Sequence, residues 1–323
     1  MGAKAEKRVN VFSRFAKAVW FEHSIVLVAI LIFIVATIIN PRFAQVSNIL
    51  VIMRQASIIG MIALGMTFVI IAGGIDLSSG HVVAAAGAVL ITVQGIAGVP
   101  LPVALLACIV AATAIGLLNG VLITKFVLPP FIATLAIGTI ARSLTGWALR
   151  GATISGNIVP AFTNIGNGSI VGIPIPMIIW VAFTILFGYI LSYTKFGIYV
   201  YAIGGNENAA KYSGMPVKKV RVITYCIVGL CVGVAAIIDF SRMASVAPIT
   251  SGAMYEFDAI TAAVVGGAAL SGGRGKILNT FFGVFIISIV SNLMIMMQLS
   301  PFLTGTVRGV IILAAVLFQK KER

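Results

Sequence analysis

The 323 residues are 60% hydrophobic and only 9% charged, with a mean hydropathy of +1.13. Soluble domains carry about 25% charged residues, so this composition excludes a water-soluble enzyme, and its apolarity excludes a disordered chain. A net charge of +14 would suggest nucleic acid in a soluble protein, but these cations mostly lie between apolar runs, as in the cytoplasmic loops of a membrane protein, and no nucleic-acid partner is expected.

A membrane-spanning helix needs about 20 apolar residues. The stretches free of Asp, Glu, Lys and Arg predict about ten such helices, near residues 22–39, 57–73, 80–97, 101–123, 130–148, 174–192, 222–240, 257–271, 277–297 and 302–318. Gly98-Val99-Pro100 splits one long apolar run, and Pro301 separates the last two helices. The fifth and eighth are short or Gly-rich, so about eight spans with re-entrant segments is the alternative. The expected fold is therefore an all-α polytopic membrane protein. It has an N-terminal segment 1–21, one transmembrane domain 22–318 and a tail 319–323.

Placing both termini in the cytoplasm leaves only Arg42, Arg54, Arg150 and Arg242 outside, with Arg142 and Arg308 inside spans. Every other Lys and Arg is then cytoplasmic, which is the bias that sets orientation. No cleavable signal peptide is recognisable. Residues 150–173, rich in Gly, Asn, Ser and Pro, suit an external loop. Residues 193–221 form the one long charged internal loop, where a cytoplasmic partner would bind.

In chain order, the first motif is Gly73-Gly74-Ile75-Asp76-Leu77-Ser78-Ser79-Gly80. Glycines break a helix by permitting positive φ. Asp76 is a lone ionisable group in a long uncharged stretch, which demands a partner, a helix N-terminus or water. Asp76 or Ser78 could cap the next helix, as in an ordinary interhelical turn. Gly74, Asp76 and Ser78 could equally belong to a broken helix lining a solute path. His81 reads as interfacial, with proton coupling as the sharper option.

Gly204-Gly205-Asn206-Glu207-Asn208-Ala209-Ala210-Lys211-Tyr212-Ser213-Gly214 predicts a short helix in the internal loop. Asn206 is a good N-cap, Glu207 suits the positive end of the helix dipole, and Gly214 ends it. Asp239, Arg242, Glu256 and Asp258, near the outer ends of spans seven and eight, could pair locally or dock a charged partner. Gly266-Gly267-Ala268-Ala269-Leu270-Ser271-Gly272-Gly273 echoes the first motif. The echo suggests a duplication, with Gly267 and Ser271 as counterparts on the path.

Enzyme motifs are missing. Gly275-Lys276-Ile277 lacks the upstream Gly and the Ser/Thr of a phosphate-binding loop, so this chain is not expected to bind ATP. No metal-ligand cluster appears, and Cys108, Cys226 and Cys231 read as small core residues. The three Trp form no cluster that would stack on a sugar, which argues against a tight sugar site within the chain.

Glu207 followed by Ala209-Ala210-x-x-x-Gly214 resembles the EAA loop of ABC importer permeases, although one residue separates Glu from Ala and the Leu-Pro ending is absent. Five further stretches resemble the ribose-type sugar permeases of that class: Gly65-Met66-Thr67, Gly74-Ile75-Asp76-Leu77-Ser78, Phe131-Ile132-Ala133-Thr134-Leu135, Gly204-Gly205-Asn206 and Tyr255-Glu256-x-Asp258-Ala259-Ile260. The resemblance runs from about Asn40 to about Val310 and implies a bacterial inner-membrane importer subunit. Its implied partners are a second permease copy, identical or not, an ABC ATPase subunit carrying ATP and Mg, and a periplasmic or lipid-anchored sugar-binding protein. Asn206, Glu207, Ala209, Ala210 and Gly214 would couple to the ATPase. Related members carry autoinducer-2, an alternative solute. The rival reading is a secondary transporter driven by an ion gradient, with Asp76 as its ionisable residue.

Overall fold

The computed structural model describes residues 11–156, 159–300, 303, 305–307, 309–311 and 313–314, with side chains from residue 25 onward except at 96. The expected tail 319–323, the first ten residues and much of the tenth expected helix lie outside these. Among the described residues six helices are long and apolar enough to cross a membrane. Two shorter apolar stretches, Ile25–Ile39 and Ser79–Gly95, accompany them, and the architecture is all-α and polytopic.

Helix α1 (Val11–Ile39) is followed by a one-turn 3-10 helix and by α2 (Val46–Ile71). Next come α3 (Ser79–Ile91), closed by one π turn, α4 (Leu101–Lys125) and α5 (Pro130–Ala148). Then follow β1 (Ile154–Ser155), α6 (Pro160–Asn167) and the hairpin of β2 (Ser169–Ile170) and β3 (Ile173–Pro174). Helices α7 (Ile175–Tyr193), α8 (Lys195–Gly205) and α9 (Glu207–Tyr212) lead to α10 (Val217–Met243). β4 (Ser245–Val246), α11 (Tyr255–Val265) and α12 (Ile277–Met296) complete the described regular elements. Prolines stand in the first turns of α4, α5, α6 and α7, where a missing N–H leaves no intrahelical bond unmade.

Helix α10 is the axis of the bundle. Its most apolar window is 72% buried, against 61% for α2 and only 22% for α4. Helix α4 has the highest hydropathy of the six, 2.5, so its outward apolar face is a lipid-facing surface. The inner face of α4 meets α10 at glycines spaced four apart on both sides: Gly116 against Gly229, Gly120 against Val222, and Gly233 against Ile109 and Ala112. A Cβ at Gly229 would lie 2.6 Å from the Ala112 carbonyl oxygen, and one at Gly233 would lie 2.8 Å from Ile109 Cα. This is the small-xxx-small packing that lets two backbones touch in a membrane. The Cys108 thiol donates to the Gly233 carbonyl at 3.6 Å across the same seam. Elsewhere polar side chains join helices: the Thr67 and Thr280 hydroxyls lie 2.9 Å apart between α2 and α12.

Four expectations change. The first helix begins at Val11 rather than near 22. The second helix begins at Val46 rather than near 57, so Arg54 lies within it and donates to Asn167 O at 3.1 Å. The seventh begins at Val217 rather than near 222, so Lys218, Lys219 and Arg221 lie in its opening turns. The eighth expected span is helical for only 11 residues, about 16 Å, which is half of a bilayer core of about 30 Å. Residues 244–254 before it form β4, which pairs with β1, and irregular turns. The fifth helix, by contrast, is continuous over 19 residues.

Candidate functional site

Helix α2 stops at Gly73, whose φ of +78° excludes most other residues. The Gly73 N–H donates to Ile70 O and the Gly74 N–H to Val69 O, at 2.9 and 2.8 Å, closing the helix end. The chain then runs without helix to Ser79. Buried backbone here must find partners, and three neighbouring helices supply them. The Leu77 N–H donates to Thr134 Oγ1 of α5 at 3.1 Å, and Tyr225 Oη of α10 donates to Ile75 O at 3.2 Å. Asp76 Oδ1 accepts from the Ser78 N–H at 2.7 Å and from Ser78 Oγ at 2.6 Å. Ser78 Oγ in turn accepts from Asn119 Nδ2 of α4 at 2.8 Å. Asp76 is 1% exposed. Ser78 is the residue before α3, and its hydroxyl serves Asp76 rather than the helix.

The break lies deep in the bundle. A Cβ at Gly138 would sit 2.9 Å from Ser78 Cα, and Gly138 is about 12 Å along α5 from Pro130. At this level the starts of α3 and α11 meet. A Cβ at Gly80 would lie 2.5 Å from the Gly252 carbonyl oxygen, and the Glu256 carboxylate rests against Gly80. Two positive helix ends thus converge beside two buried carboxylates, Asp76 and Glu256. Arg142, on α5, donates to the carbonyls of Ile249 and Ser251, the latter at 3.0 Å. It thereby holds the irregular approach to α11, and its intramembrane charge has a backbone partner.

The short helix α9 forms as expected. Asn206 Oδ1 accepts from the Ala209 N–H at 3.0 Å, and Gly214 follows with φ +76°. Ala210 alone in α9 is buried; Asn206, Glu207, Ala209 and Gly214 are exposed, and Tyr212 is 89% exposed. Glu207 makes a two-pronged ion pair with Arg221 on α10, at 2.8 and 3.2 Å. That pair offsets one of the cations crowded at the positive end of α10.

The remaining expected site residues are dispersed. Gly267, with φ +86°, ends α11. Its N–H donates to Val264 O and that of Ala268 to Ala263 O, at 2.8 and 2.9 Å. The same cap as at Gly73 and Gly74 therefore recurs, one residue out of register with the sequence echo. Gly267 and Ser271 are exposed; the structure does not bring them to Asp76. Their turn touches the first one where the Gly273 N–H donates to Ile71 O at 2.8 Å. Asp239, Glu256 and Asp258 are buried and Arg242 is half-buried. Asp239 accepts from Tyr255 Oη at 3.2 Å, and Asp258 lines a crevice with Thr261 and Ser291 between α11 and α12. His81 is partly exposed beside Gly138.

A family model described as branched-chain amino acid transport system / permease component matches residues 48–316. The chain belongs to that permease family. The ribose import permease protein RbsC of Bacillus subtilis (strain 168) is 44% identical over 290 residues, 90% of this chain and 89% of the relative. RbsC of Escherichia coli (strain K12) is 36% identical over 313 residues, 96% of this chain and 97% of the relative. The L-arabinose transport system permease protein AraH of the same organism is 36% identical over 322 residues, 100% of this chain and 96% of the relative. No solved structure matches.

The permease is therefore a multi-pass membrane subunit of an ABC importer, a transporter component and not an enzyme. Permeases of this kind work with an ATPase and a substrate-binding protein, and the gradient-driven reading is not favoured. Five residues central to the permease's geometry do not stand out as site residues in the sequence: Asn119, Thr134, Arg142, Arg221 and Tyr225. Asn119, a lone amide in the otherwise apolar α4, carried a readable signal. Arg142 was visible as an intramembrane charge, but its partners are backbone carbonyls, which no side-chain pattern announces.

Proposed function

We propose that the permease imports a ribose-type monosaccharide across the bacterial cytoplasmic membrane, as one of two copies, each crossing it about ten times with both termini inside. ATP and Mg sit on a separate ATPase pair, and a periplasmic or lipid-anchored binding protein delivers the solute. The 44% identity to the Bacillus subtilis ribose permease over 90% of this chain supports the choice of sugar. Asn206, Glu207, Ala209, Ala210 and Gly214 form the coupling helix. Gly74, Asp76 and Ser78 border the path, and Gly267 and Ser271 flank its cytoplasmic mouth. Asp239 and Arg242, at the outer end of α10, brace the rim onto which the binding protein docks, while Glu256 and Asp258 lie on α11, where Glu256 rests against Gly80.

One observation carries this reading. Helix α9 is exposed except at Ala210, yet Glu207 clamps it to α10, the most buried of the six long spans. Closure of the ATPase pair on ATP moves α9, and the bundle shifts between inward and outward access. The test is sugar uptake into liposomes containing the permease, its ATPase and the binding protein. Glu207→Arg with Gly214→Pro is expected to abolish ATP-driven uptake while leaving membrane insertion intact. Wild-type uptake by that double variant overturns the coupling role. Labelled ribose, chased with unlabelled arabinose, checks the solute: equal competition refutes a ribose preference.

A further inference from the structure

Two contacts connect α9 to the Asp76 segment. On one side, Arg221 lies on α10 one turn before Tyr225, so both face the same way. Arg221 grips Glu207 with two hydrogen bonds, and its side chain is 17% exposed. Tyr225 is fully buried, donates to Ile75 O at 3.2 Å, and fits against Gly74, where a Cβ would lie 2.7 Å from its hydroxyl. On the other side, Gly204 and Gly205 immediately precede Asn206 and α9. A Cβ at Gly273 would lie 2.9 Å from Gly205 Cα, and one at Gly272 would lie 2.6 Å from Gly204 O. The Gly273 N–H is bonded to Ile71 O, the end of α2, at 2.8 Å, and Tyr201 Oη of α8 donates to Gly275 O at 2.7 Å.

Resting on the coupling role of α9, we propose that Arg221 and Tyr225 are positioning residues that set the Asp76 segment to the position of α9. The Gly204–Gly273 contact acts as the fixed end. A pull on Glu207 turns the first turns of α10, and the Tyr225 ring turns with them. Its hydroxyl holds Ile75, while Ile71 is held through Gly273. The chain between these two grips, Gly73 to Ile75, is not helical, so it takes up the displacement and Asp76 moves with it. Tyr225 is buried in a rigid contact against backbone, and such packed, discrete contacts transmit displacement rather than absorb it. The cytoplasmic rod is thereby linked to the break in the bundle through named atoms.

The experiment uses the full importer in liposomes, reading sugar delivered and ATP hydrolysed in the same sample. Tyr225→Phe keeps the ring and removes the hydrogen bond, so folding and ATPase stimulation are retained. Sugar delivered per ATP is expected to fall about five-fold, the equivalent of one ordinary hydrogen bond. Glu207→Arg and Arg221→Glu each uncouple, and the two together recover. Arg221→Gln combined with Tyr225→Phe is expected to cost no more than the worse single variant, since residues in one chain of contacts are not additive. Normal sugar per ATP in Tyr225→Phe, with Glu207→Arg uncoupled, overturns this proposal and leaves the coupling role of α9 standing. Normal uptake by Glu207→Arg overturns the coupling role itself. Full additivity of Arg221→Gln and Tyr225→Phe overturns the shared route.

Discussion

The seam between α4 and α10 offers a test of whether backbone contact holds this bundle together. Gly229→Ala adds one methyl group. Its carbon would sit 2.6 Å from Ala112 O and 2.8 Å from Thr113 Cα, where ordinary contact begins at 3.4 Å. Both neighbours are backbone, so no rotamer can yield, and α4 must retreat by about 0.8 Å. That retreat loosens the matching contacts at Gly116 and Gly233. Overpacking of this kind costs up to about 3 kcal/mol, while replacing Gly by Ala in a helix interior returns about 1 kcal/mol. A net loss of about 2 kcal/mol is expected. Gly146→Ala is the matched control: it lies within α5 with nothing near its missing Cβ, and it is expected to stabilise by up to about 1 kcal/mol. Reversible denaturation in detergent micelles, followed by helical circular dichroism, measures both. If Gly229→Ala proves as stable as the Gly146 variant, direct backbone contact is not what sets the α4–α10 distance.

Asn119→Leu removes the donor to Ser78 and is expected to cost about 1–2 kcal/mol, while Asn119→Asp, placing a second carboxylate beside Asp76, should cost more; the same denaturation assay ranks them. Gly80→Ala drives a methyl into Gly252 and the Glu256 carboxylate, and sugar uptake is expected to fall about ten-fold with normal membrane insertion, at about 1.4 kcal/mol of strain. Arg142→Gln cannot reach both the Ile249 and Ser251 carbonyls, so a cysteine introduced at Thr250 should react faster with a soluble maleimide than in the parent; unchanged labelling rates would count against Arg142 as the tether.

Local chemistry made α9 legible. Asn206, Glu207 and Gly214 act within a few residues, so their pattern specifies the cap, the first turn and the stop without any tertiary help. Apolar runs did the same for the long spans. The eighth expected span stops short because Gly266 and Gly267 close α11 after Val265, although Ala268, Ala269 and Leu270 are apolar enough to read as more helix. Charge alone could not distinguish a surface cluster from a buried one at Asp239, Glu256 and Asp258, since the elements that bury them are distant in sequence. The glycine echo was visible as composition, but its one-residue offset depends on which carbonyls close each helix. The four-residue spacing of Gly116 and Gly120 and of Gly229 and Gly233 is visible in the sequence, but not that Gly116 meets Gly229 while Gly120 meets Val222 and Gly233 meets Ile109, because that depends on how the two helices are aligned.

A joint lined by hydrogens differs mechanically from one lined by side chains. Where the Trp180 indole sits over Gly60, a knob occupies a socket, and α2 and α7 are keyed against slipping past each other. Along Gly116, Gly120, Gly229 and Gly233 there is no knob. Such a surface fixes how far apart two rods stand, and the weak bond from Cys108 to the Gly233 carbonyl is left to oppose sliding or rolling. The bundle's central rod therefore rests, on one flank, against the equivalent of a smooth bearing.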